Sequence, residues 1–301
     1  MSTTDPAGPV LCALDFSDGS EAALVLAADL AERFHTSLLL LHADPLFFAS
    51  PSSFDLEGPD GMLRERMRAF AEAALGSAEA VDVVDPEGVI RHSEYAGDAI
   101  VRQAEEVGAR LVVVGTHGRR GLGRLLSGSV AEEVVRQASC EVLVVPNSAT
   151  RTAPHAEAPI LVPVDFSTHM DAAVDRAVHL AGLYGAPLRL LHVIGPSLPL
   201  PTFYGDVIGP NLYDVPTLVE ASDTHLRTVA DGLEVDAGTE TRVGAHHAEI
   251  VADAQEAAAG LIVMATHGNT GLDRVLLGSV TERTLRQAPC PVFVVRALEV
   301  E

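Results

Sequence analysis

Hydrophobic residues along the chain occur in two arrangements, short continuous apolar runs and longer amphipathic stretches. The runs Val10–Leu14 and Leu111–Val114 are typical of strands that are buried on both faces. The stretch Ala22–Leu30 has apolar residues at helical spacing, and it follows Asp18 and Glu21, a pair typical of a helix start. The pattern therefore predicts strands that alternate with helices.

The same criteria predict the remaining elements of the chain. Further strands are predicted at Ser37–His42, Val89–Tyr95, Val142–Val145, Ile160–Val164, Pro187–Val193, Thr239–Val243, Leu261–Met264 and Val292–Val295. Further helices are predicted at Met62–Leu75, Asp98–Val107, Ala172–Leu180 (after Thr168 and Asp171), Leu218–Leu233 and Ala248–Ala259, and from about Gly128 and Gly278. Two segments rich in Pro, Gly and Ser, Pro45–Pro59 and Pro196–Pro216, are predicted as loops.

The sequence matches itself at a fixed offset of 150 residues. Of the 30 residues from 116 to 145, 18 are identical to their counterparts in 266–295, without a gap. A match of this length indicates a duplicated domain. We predict one domain at residues 1–147, a second at 158–301, and a linker at about 148–157 that is rich in Ala, Thr and Pro.

The order of elements within each copy determines the predicted fold class. Strands that alternate with helices indicate an α/β domain with a five-stranded parallel sheet and helices on both faces, which is a Rossmann-like arrangement. The fifth strand of each copy is apolar and is expected at a sheet edge, where exposure promotes aggregation. We therefore expect the two fifth strands to pair with each other in an intrachain pseudo-dimer.

Charge and composition exclude several classes of protein. The formal net charge is −22, which argues against a nucleic-acid partner and against binding to an anionic membrane surface. All 20 basic residues are arginines, which excludes Walker-A ATPases, protein kinases and Schiff-base enzymes because each needs a lysine. No apolar run approaches the roughly 18–20 residues of a membrane span, the start of the chain lacks a signal-peptide pattern, and three cysteines make no disulfide framework. A cytoplasmic location is the expectation.

A glycine-rich motif follows the fourth predicted strand. It begins with Gly115 and Gly118 and continues after nine residues with Gly128 and Ser129, which gives the pattern G-x-x-G-x9-G-S. The second copy has Ala265 in place of the first glycine and otherwise keeps the pattern. Glycines let the backbone approach a ligand closely, and a helix that begins at the second glycine offers free N–H groups and a positive dipole end to an anion.

Charges around the two motifs differ between the copies. The first copy has Arg119, Arg120 and Arg124 between its glycines, whereas the second has Arg274 offset by Asp273. Charge-assisted hydrogen bonds contribute roughly 1.5–3 kcal/mol each, so several could hold a polyphosphate without lysine. The aspartate after the first strand of each copy can accept hydrogen bonds from the hydroxyls of a ribose.

At these residues the chain resembles the universal stress protein family in its tandem two-domain form. The glycine motif is that of the family's ATP-binding branch, and Asp15, His42 and Cys140 also fall in place. The resemblance covers nearly the whole chain, twice. It implies a fold of the adenine nucleotide alpha hydrolase-like type, a cytoplasmic location and ATP as ligand, with Mg²⁺ possible through the phosphates. It also supports pairing through the fifth strands, with a homodimer as a further possibility.

The resemblance also implies a role for individual residues. Adenine is expected near Ala13 and the backbone of Ala43, and the ribose on Asp15. The remaining ATP-binding positions of the first copy are Val114, Gly115, Gly118, Arg119, Gly128, Ser129 and Val130. The matching positions of the second copy are Pro163, Asp165, Val193, Met264, Ala265, Gly268, Gly278, Ser279 and Val280, where the Ala265 methyl adds bulk at the floor.

Each candidate residue also has a structural interpretation. The Gly-Ser pairs could be ordinary helix starts, and Asp15 and Asp165 could cap the loop that follows them. His117 and His267 lie beside the glycine motif without a triad partner, so no catalytic residue is predicted. Adjacent residues on a helix point apart, so His246 and His247 predict no metal site.

Other chemically reactive side chains are predicted to be structural. His42 and His192 are interpreted as core histidines, and Cys12, Cys140 and Cys290 as small buried residues. Together with the resemblance, a phosphate loop without a base or nucleophile predicts an ATP-binding regulatory protein of stress adaptation with little or no turnover. The alternatives are a slow ATP-hydrolysing or nucleotidyl-transfer enzyme of similar fold, and an interaction scaffold without nucleotide.

Overall fold

The computed structural model describes residues 8–44, 58–76, 88–116, 129–147, 155–167, 170–195, 215–266 and 277–296. The chain divides into two compact units, Met1–Ala153 (unit 1) and Pro154–Glu301 (unit 2). The division falls inside the segment 148–157 that the sequence predicts as a linker.

Unit 1 is built on parallel strands. Its described strands are β1 (Val10–Ala13), β2 (Leu38–Asp44), β3 (Val89–His92), β4 (Leu111–Gly115) and β5 (Glu141–Val145). Its described helices are α1 (Asp18–Arg33), α2 (Gly58–Leu75), α3 (Ala96–Glu106) and α4 (Ser129–Gln137). The strands lie in the order β3-β2-β1-β4-β5, and each neighbouring pair is parallel.

Unit 2 repeats this plan. Its described strands are β6 (Ile160–Pro163), β7 (Leu188–Ile194), β8 (Ala237–Val243), β9 (Leu261–Ala265) and β10 (Val292–Val295). Its described helices are α5 (Met170–Tyr184), α6 (Val215–Asp231), α7 (His246–Glu256) and α8 (Ser279–Gln287). The strands lie in the order β10-β9-β6-β7-β8, again with parallel neighbours.

The strand order confirms the predicted fold class and locates the crevice of each unit. The chain runs outward from the first strand to the third and then crosses back to the fourth on the other side. Right-handed crossovers therefore place α1 and α2 on one face of the sheet and α3 and α4 on the other. The order reverses between β1 and β4, and between β6 and β9, and the crevice at such a reversal is where open α/β sheets bind ligands.

The central strands form the core of each unit. Val10, Leu11 and Cys12 of β1 are fully buried, and so are Ile160, Leu161 and Val162 of β6. Helices cover both faces of these strands, which is why their sequences are continuously apolar instead of alternating.

The predicted start of α1 is wrong by one residue. The N-cap is Ser17, not Asp18, and its hydroxyl accepts from the Ser20 N–H at 3.3 Å. Ser20 Oγ accepts in turn from the Ser17 N–H at 3.1 Å, which completes a capping box. Asp18 and Glu21 lie in the first turn, where negative charge is favourable toward the helix dipole.

The two predicted loops end too late. Pro59 and Pro216 are helical, because α2 begins at Gly58 and α6 at Val215. Proline suits the first helical turn because the N–H that it lacks has no partner there. The remainder of both segments, residues 45–57 and 196–214, lies outside the described residues, as does Thr168.

The third strands also differ from their predicted bounds. β3 ends at His92 and not at Tyr95, since Tyr95 is the N-cap of α3. β8 begins at Ala237, two residues before the predicted Thr239, because it pairs with β7 along its whole length.

An ion-pair network connects β7, β8 and α7. Arg189 donates to both carboxylate oxygens of Asp253 at 2.8 Å, and Arg242 donates to Asp253 Oδ1 at 3.1 Å and to Glu256 at 2.6 Å. Asp253 is 0% exposed, so its charge is sustained by these arginines. The hydrogen bonds that Arg189 donates to Asp253 are the main cause that raises the pKa of Arg189 above its ordinary value.

Unit 1 has a counterpart of this network in which a neutral amide replaces the buried carboxylate. Arg91 of β3 donates to Gln103 Oε1 at 2.6 Å and also bonds Glu106, as Arg242 bonds Asp253 and Glu256. The strand position of Arg189 is occupied by Leu39, which is buried. The same two positions thus hold Leu39 and Gln103 in unit 1 and Arg189 and Asp253 in unit 2.

Two further predictions concern the burial of the three cysteines and the lack of a membrane-spanning segment. None of Cys12, Cys140 and Cys290 forms a disulfide bond. Cys12 and Cys290 are buried as predicted, whereas Cys140 is only partly buried. None of the helices in the described part of the chain is both long and apolar enough to span a bilayer.

Candidate functional site

The same three-residue turn follows the first strand of each unit. In the Asp-Phe-Ser turn of unit 1, Asp15 Oδ1 accepts from the N–H of Ser17 at 3.1 Å and from its hydroxyl at 2.5 Å. In unit 2, Asp165 Oδ1 accepts from Ser167 at 3.0 Å and 2.6 Å. Asp15 and Asp165 therefore cap the loop that follows each of them, as the structural interpretation predicted. A carboxylate has about four acceptor positions, so this role is compatible with ligand binding.

A histidine from the second strand supports each turn. His42 Nδ1–H donates to the carbonyl of Leu14, and His192 Nδ1–H donates to that of Val164, both at 2.7 Å. His192 is buried, as predicted for a core histidine, whereas His42 is only half-buried. Because a carbonyl only accepts, the bond places the proton on Nδ1 of the neutral ring.

The central phenylalanine of each turn has a rare backbone conformation. Phe16 has φ +62° and Phe166 has φ +57°. A left-handed conformation at a bulky residue costs on the order of 1–3 kcal/mol and occurs preferentially at functional sites. Its occurrence at matching positions in both units indicates that the turn geometry serves a purpose beyond connecting β1 to α1. Sequence analysis did not identify either phenylalanine as a site residue, although both belong to the repeated segment.

Aromatic and charged groups around the phenylalanine differ between the units. Phe16 lies 4.7 Å from the ring of His42, 5.6 Å edge-on from Phe70, and 4.1 Å from the guanidinium of Arg66. Unit 1 therefore places a permanent cation and a hydrocarbon ring at this crevice.

Unit 2 replaces these groups with imidazoles. Phe166 stacks on His192 at 4.4 Å and meets His225 edge-on at 4.5 Å, so His225 occupies the place of Phe70. His246, the first residue of α7, lies against Gly195, where a Cβ would come within 2.4 Å of its ring. The matching first residue of α3 is Ala96. In the described residues, three histidines thus lie around the Asp-Phe-Ser turn of unit 2, and one lies at that of unit 1.

The start of α8 is held against the end of β9. The N–H of Gly278 donates to the carbonyl of Thr266 at 3.1 Å, and the hydroxyl of Thr281 donates to that of Ala265 at 3.1 Å. Gly278 is the N-cap and has no side chain that caps the helix. The first N–H groups of α8 therefore need partners from outside the helix, which makes its start suited to an anion.

The end of β4 packs closely on α1. A Cβ on Gly115 would lie 2.9 Å from the backbone carbon of Gly19 and 3.0 Å from its oxygen. Contacts this short with backbone cannot be relieved by a side-chain rotation. The absence of a side chain at Gly115 is therefore explained by helix packing, independently of any ligand at the floor of the crevice.

Gly115→Ala is expected to destabilise unit 1 by about 1–3 kcal/mol, the cost of overpacking a close-packed contact. The reciprocal Ala265→Gly in unit 2 is expected to cost no more than about 1 kcal/mol, through added backbone freedom in the unfolded chain. Urea unfolding of the two variants measures both values. Equal, small losses would show that β4 and α1 do not require glycine at this contact.

Comparison with known proteins places this geometry in a family. A family model of the universal stress proteins matches residues 7–146 and, separately, residues 158–296. A universal stress protein of Mycolicibacterium smegmatis is 30% identical over 309 residues, which cover 95% of this chain and 96% of that protein. The chain belongs to the universal stress protein family.

Other members of the universal stress protein family match single units or show the same fold. A universal stress protein of Methanocaldococcus jannaschii is 34% identical over 155 residues, covering 50% of this chain and 88% of that protein. The crystal structure of a universal stress protein from Archaeoglobus fulgidus superimposes with a TM-score of 0.61 at 19% identity, covering 98% of both chains. One from Pseudomonas aeruginosa gives a TM-score of 0.62 at 18% identity, covering 96% of this chain and 92% of that one. The two structures show a shared fold.

The residues that the family resemblance singles out lie at the carboxyl ends of the central strands. Ala13 and Pro163 end the first strands and are half-buried, while Ala43 and Val193 lie in the second strands. Asp15 and Asp165 follow the first strands, next to the ends of β4 and β9.

The remaining predicted residues divide into three groups. Val114 and Met264 are buried inside β4 and β9, so that their backbone, and not their side chains, is available to a ligand. Ser129 and Ser279 are the exposed first residues of α4 and α8, each followed by a partly buried valine, Val130 or Val280. The rest lie outside the described residues: Gly118, Arg119, Gly128 and Gly268, together with His117 and His267.

The unit 2 histidines are shifted toward the neutral form. Burial is the main cause that lowers the pKa of His192, His225 and His246 below the ordinary 6.5. Asp165 opposes this shift at His192 and His246, since its negative charge favours the imidazolium. No group of three or more His, Cys, Asp or Glu side chains in the described ranges is arranged to hold a metal ion.

These pKa shifts predict an acid-sensitive unit 2. An imidazole whose pKa is lower in the folded than in the unfolded state leaves stability unchanged above pH 6.5 and reduces it as pH falls below that value. We therefore expect the urea midpoint of unit 2 to decrease as pH falls from about 6.5 to 5, the lower part of the range in which histidine titrates. His225→Phe, which introduces the ring found in unit 1, is expected to reduce the decrease. A decrease of the same size in that variant would contradict the assignment to His225.

Proposed function

We propose that this universal stress protein binds ATP in both crevices and acts as a cytoplasmic regulatory protein with little or no turnover. The observation that carries the proposal is the duplicated juxtaposition of an Asp-Phe-Ser turn with the end of the neighbouring fourth strand. In unit 2, a glycine-capped helix start also packs there.

Each part of this arrangement suits one part of a nucleotide. The carboxylate after the first strand can accept hydrogen bonds from ribose hydroxyls. The half-buried ends of the first strands offer apolar surface to a base, and the ends of the second strands offer backbone groups. The helix starts at Ser129 and Ser279 present N–H groups and a positive dipole end to phosphates.

The charges of the chain restrict how the phosphates are held. Arginines and main-chain N–H groups must replace the lysine found in many nucleotide sites, since the sequence contains none. We propose that Mg²⁺ accompanies the triphosphate and is bound by phosphate oxygens. Neither Asp15 nor Asp165 is accompanied in the described residues by the further ligands of a metal cluster.

Equilibrium dialysis of the purified chain against ATP tests the proposal. We expect up to two nucleotides per chain and phosphate release slower than about 1 s⁻¹, the low end of typical enzymes. No bound nucleotide at millimolar ATP would refute the binding site. Faster release would instead favour an ATP-hydrolysing enzyme.

The role of the aspartate can be tested separately in unit 1, with unit 2 silenced by Ser279→Asp. Asp15→Asn keeps an oxygen for Ser17 but loses the charge, so ATP affinity is expected to decrease about tenfold, the difference between a charged and a neutral hydrogen bond. The same substitution is expected to leave the affinity for 2′,3′-dideoxy-ATP unchanged, because that probe has no ribose hydroxyls to donate. An equal loss for both probes would contradict a ribose contact at Asp15.

A further inference from the structure

Among the described residues, the aromatic cluster at the Asp-Phe-Ser turn has more imidazoles in unit 2 than in unit 1. Around Phe16, unit 1 has one imidazole, His42, together with Phe70 and the permanent cation of Arg66. Around Phe166, unit 2 has His192 and His225. His246 adds a third imidazole within electrostatic reach of Asp165 and of His192. The duplication thus supplies an internal comparison, with two matched positions, Phe70/His225 and Ala96/His246, that have an imidazole in unit 2 only.

We propose that unit 2 is a proton-dependent nucleotide site, which binds the triphosphate more tightly as its histidines become protonated, whereas unit 1 binds it with little dependence on pH. This inference rests on the proposed ATP binding and adds a regulation that distinguishes the two sites. In unit 2, acidification would convert the neutral imidazoles of His192, His225 and His246 into cations.

Few other charges in the described residues act on these histidines. Along α6, the residues three and four positions from His225 are uncharged (Ala221, Ser222, Thr228 and Val229). On the other elements, Asp165 after β6 acts on His192 and His246, and His247 of α7 acts on His246. Asp165 is thus the one carboxylate among these partners, so protonation of more than one imidazole leaves this group of described side chains with net positive charge.

Two opposing effects decide the direction of the pH dependence. A bound ligand removes water from the imidazoles, which disfavours their protonated form. A triphosphate has three to four negative charges, each of which attracts a nearby cation, and we expect the summed attraction to exceed the added desolvation. The attraction therefore prevails for ATP. It is absent for adenosine, for which desolvation alone remains.

The test measures ATP and adenosine binding to full-length chains that have one working site. Ser129→Asp silences unit 1 and Ser279→Asp silences unit 2, because each places a carboxylate where phosphate would bind, at a helix position that tolerates acid. With only unit 2 working, the ATP Kd is expected to fall several-fold between about pH 8 and 5.5, toward the tenfold limit for one imidazole whose pKa rises one unit on binding. With only unit 1 working, the change is expected to stay within about threefold, which also accounts for protonation of ATP itself.

Two controls link the effect to the histidines. His225→Phe with His246→Ala installs the unit 1 residues in unit 2 and is expected to reduce its pH dependence to that of unit 1. Adenosine affinity at unit 2 is expected not to rise on acidification. Urea midpoints at both pH values establish that each variant remains folded.

Each outcome has a separate meaning. If neither background binds ATP at millimolar concentration, the proposed function fails. If unit 2 binds ATP with the same pH dependence as unit 1, the proposed function stands and the proton-dependent site is refuted. A steep dependence that persists in the doubly substituted variant, or that adenosine shares, also refutes it.

Discussion

Ser129→Asp combined with Ser279→Asp is expected to abolish ATP binding, with a rise in Kd of at least about 100-fold at each site. These residues begin α4 and α8, where N–H groups and the helix dipole would meet the phosphates. A carboxylate there both repels the triphosphate and takes the place of charge-assisted hydrogen bonds that contribute roughly 1.5–3 kcal/mol each. The loss of two such bonds is sufficient for the predicted change.

Stability provides the control for this variant. Aspartate is favourable in the first turn of a helix. The free energy of unfolding, measured in urea, is therefore expected to stay within about 0.5 kcal/mol of the parent value, as for other exposed substitutions. Ser129→Thr with Ser279→Thr keeps hydroxyl and N–H groups and is expected to bind normally. ATP affinity in the aspartate variant that equals that of the threonine variant would place the phosphates elsewhere.

Asp253→Ala is expected to lower the stability of unit 2 by about 3–5 kcal/mol, the range for removing one partner of a buried ion pair. Asp253 is 0% exposed and bonds both Arg189 and Arg242, which are partly buried. Its removal takes away the buried negative charge that pairs with the guanidinium groups of Arg189 and Arg242 between β7, β8 and α7. Hydrogen exchange of amides in these elements, compared with amides of unit 1, measures the loss within one chain.

Unit 1 supplies the matched exchange for Asp253. Arg189→Leu with Asp253→Gln recreates the Leu39 and Gln103 pair and leaves Arg242 with a neutral acceptor, as Arg91 has. We expect this double variant to be at least about 2 kcal/mol more stable than Asp253→Ala, since an apolar replacement of a buried ion pair is often neutral. Equal stabilities would mean that the pair is not energetically coupled.

The fold could be predicted from the sequence because it depends on patterns that are local and repeated. Continuous apolar strands, amphipathic helices and the 150-residue repeat together determine a parallel sheet in each unit. Boundaries were less accurate at helix starts. Ser17 and Asp18 are both good N-caps, and only the hydrogen bond with Ser20 shows which residue has that role. The pairing of the fifth strands and a homodimer stay predictions.

The site could be predicted only in part. Asp15 and Asp165 were identifiable because each ends an apolar run. The left-handed backbone of Phe16 and Phe166 could not be inferred, since bulky residues rarely adopt it. The gathering of His225 and His246 around Phe166 depends on contacts between elements far apart in the sequence, which periodicity does not report.

A crystal structure of the chain grown with millimolar ATP tests the central claim most directly. The account predicts a triphosphate over the start of α8 beside Ser279, ribose hydroxyls on Asp165, and the equivalent density beside Ser129 and Asp15. Density for nucleotide at another surface, or crevices that remain without nucleotide in crystals whose solution contains saturating ATP, would contradict it.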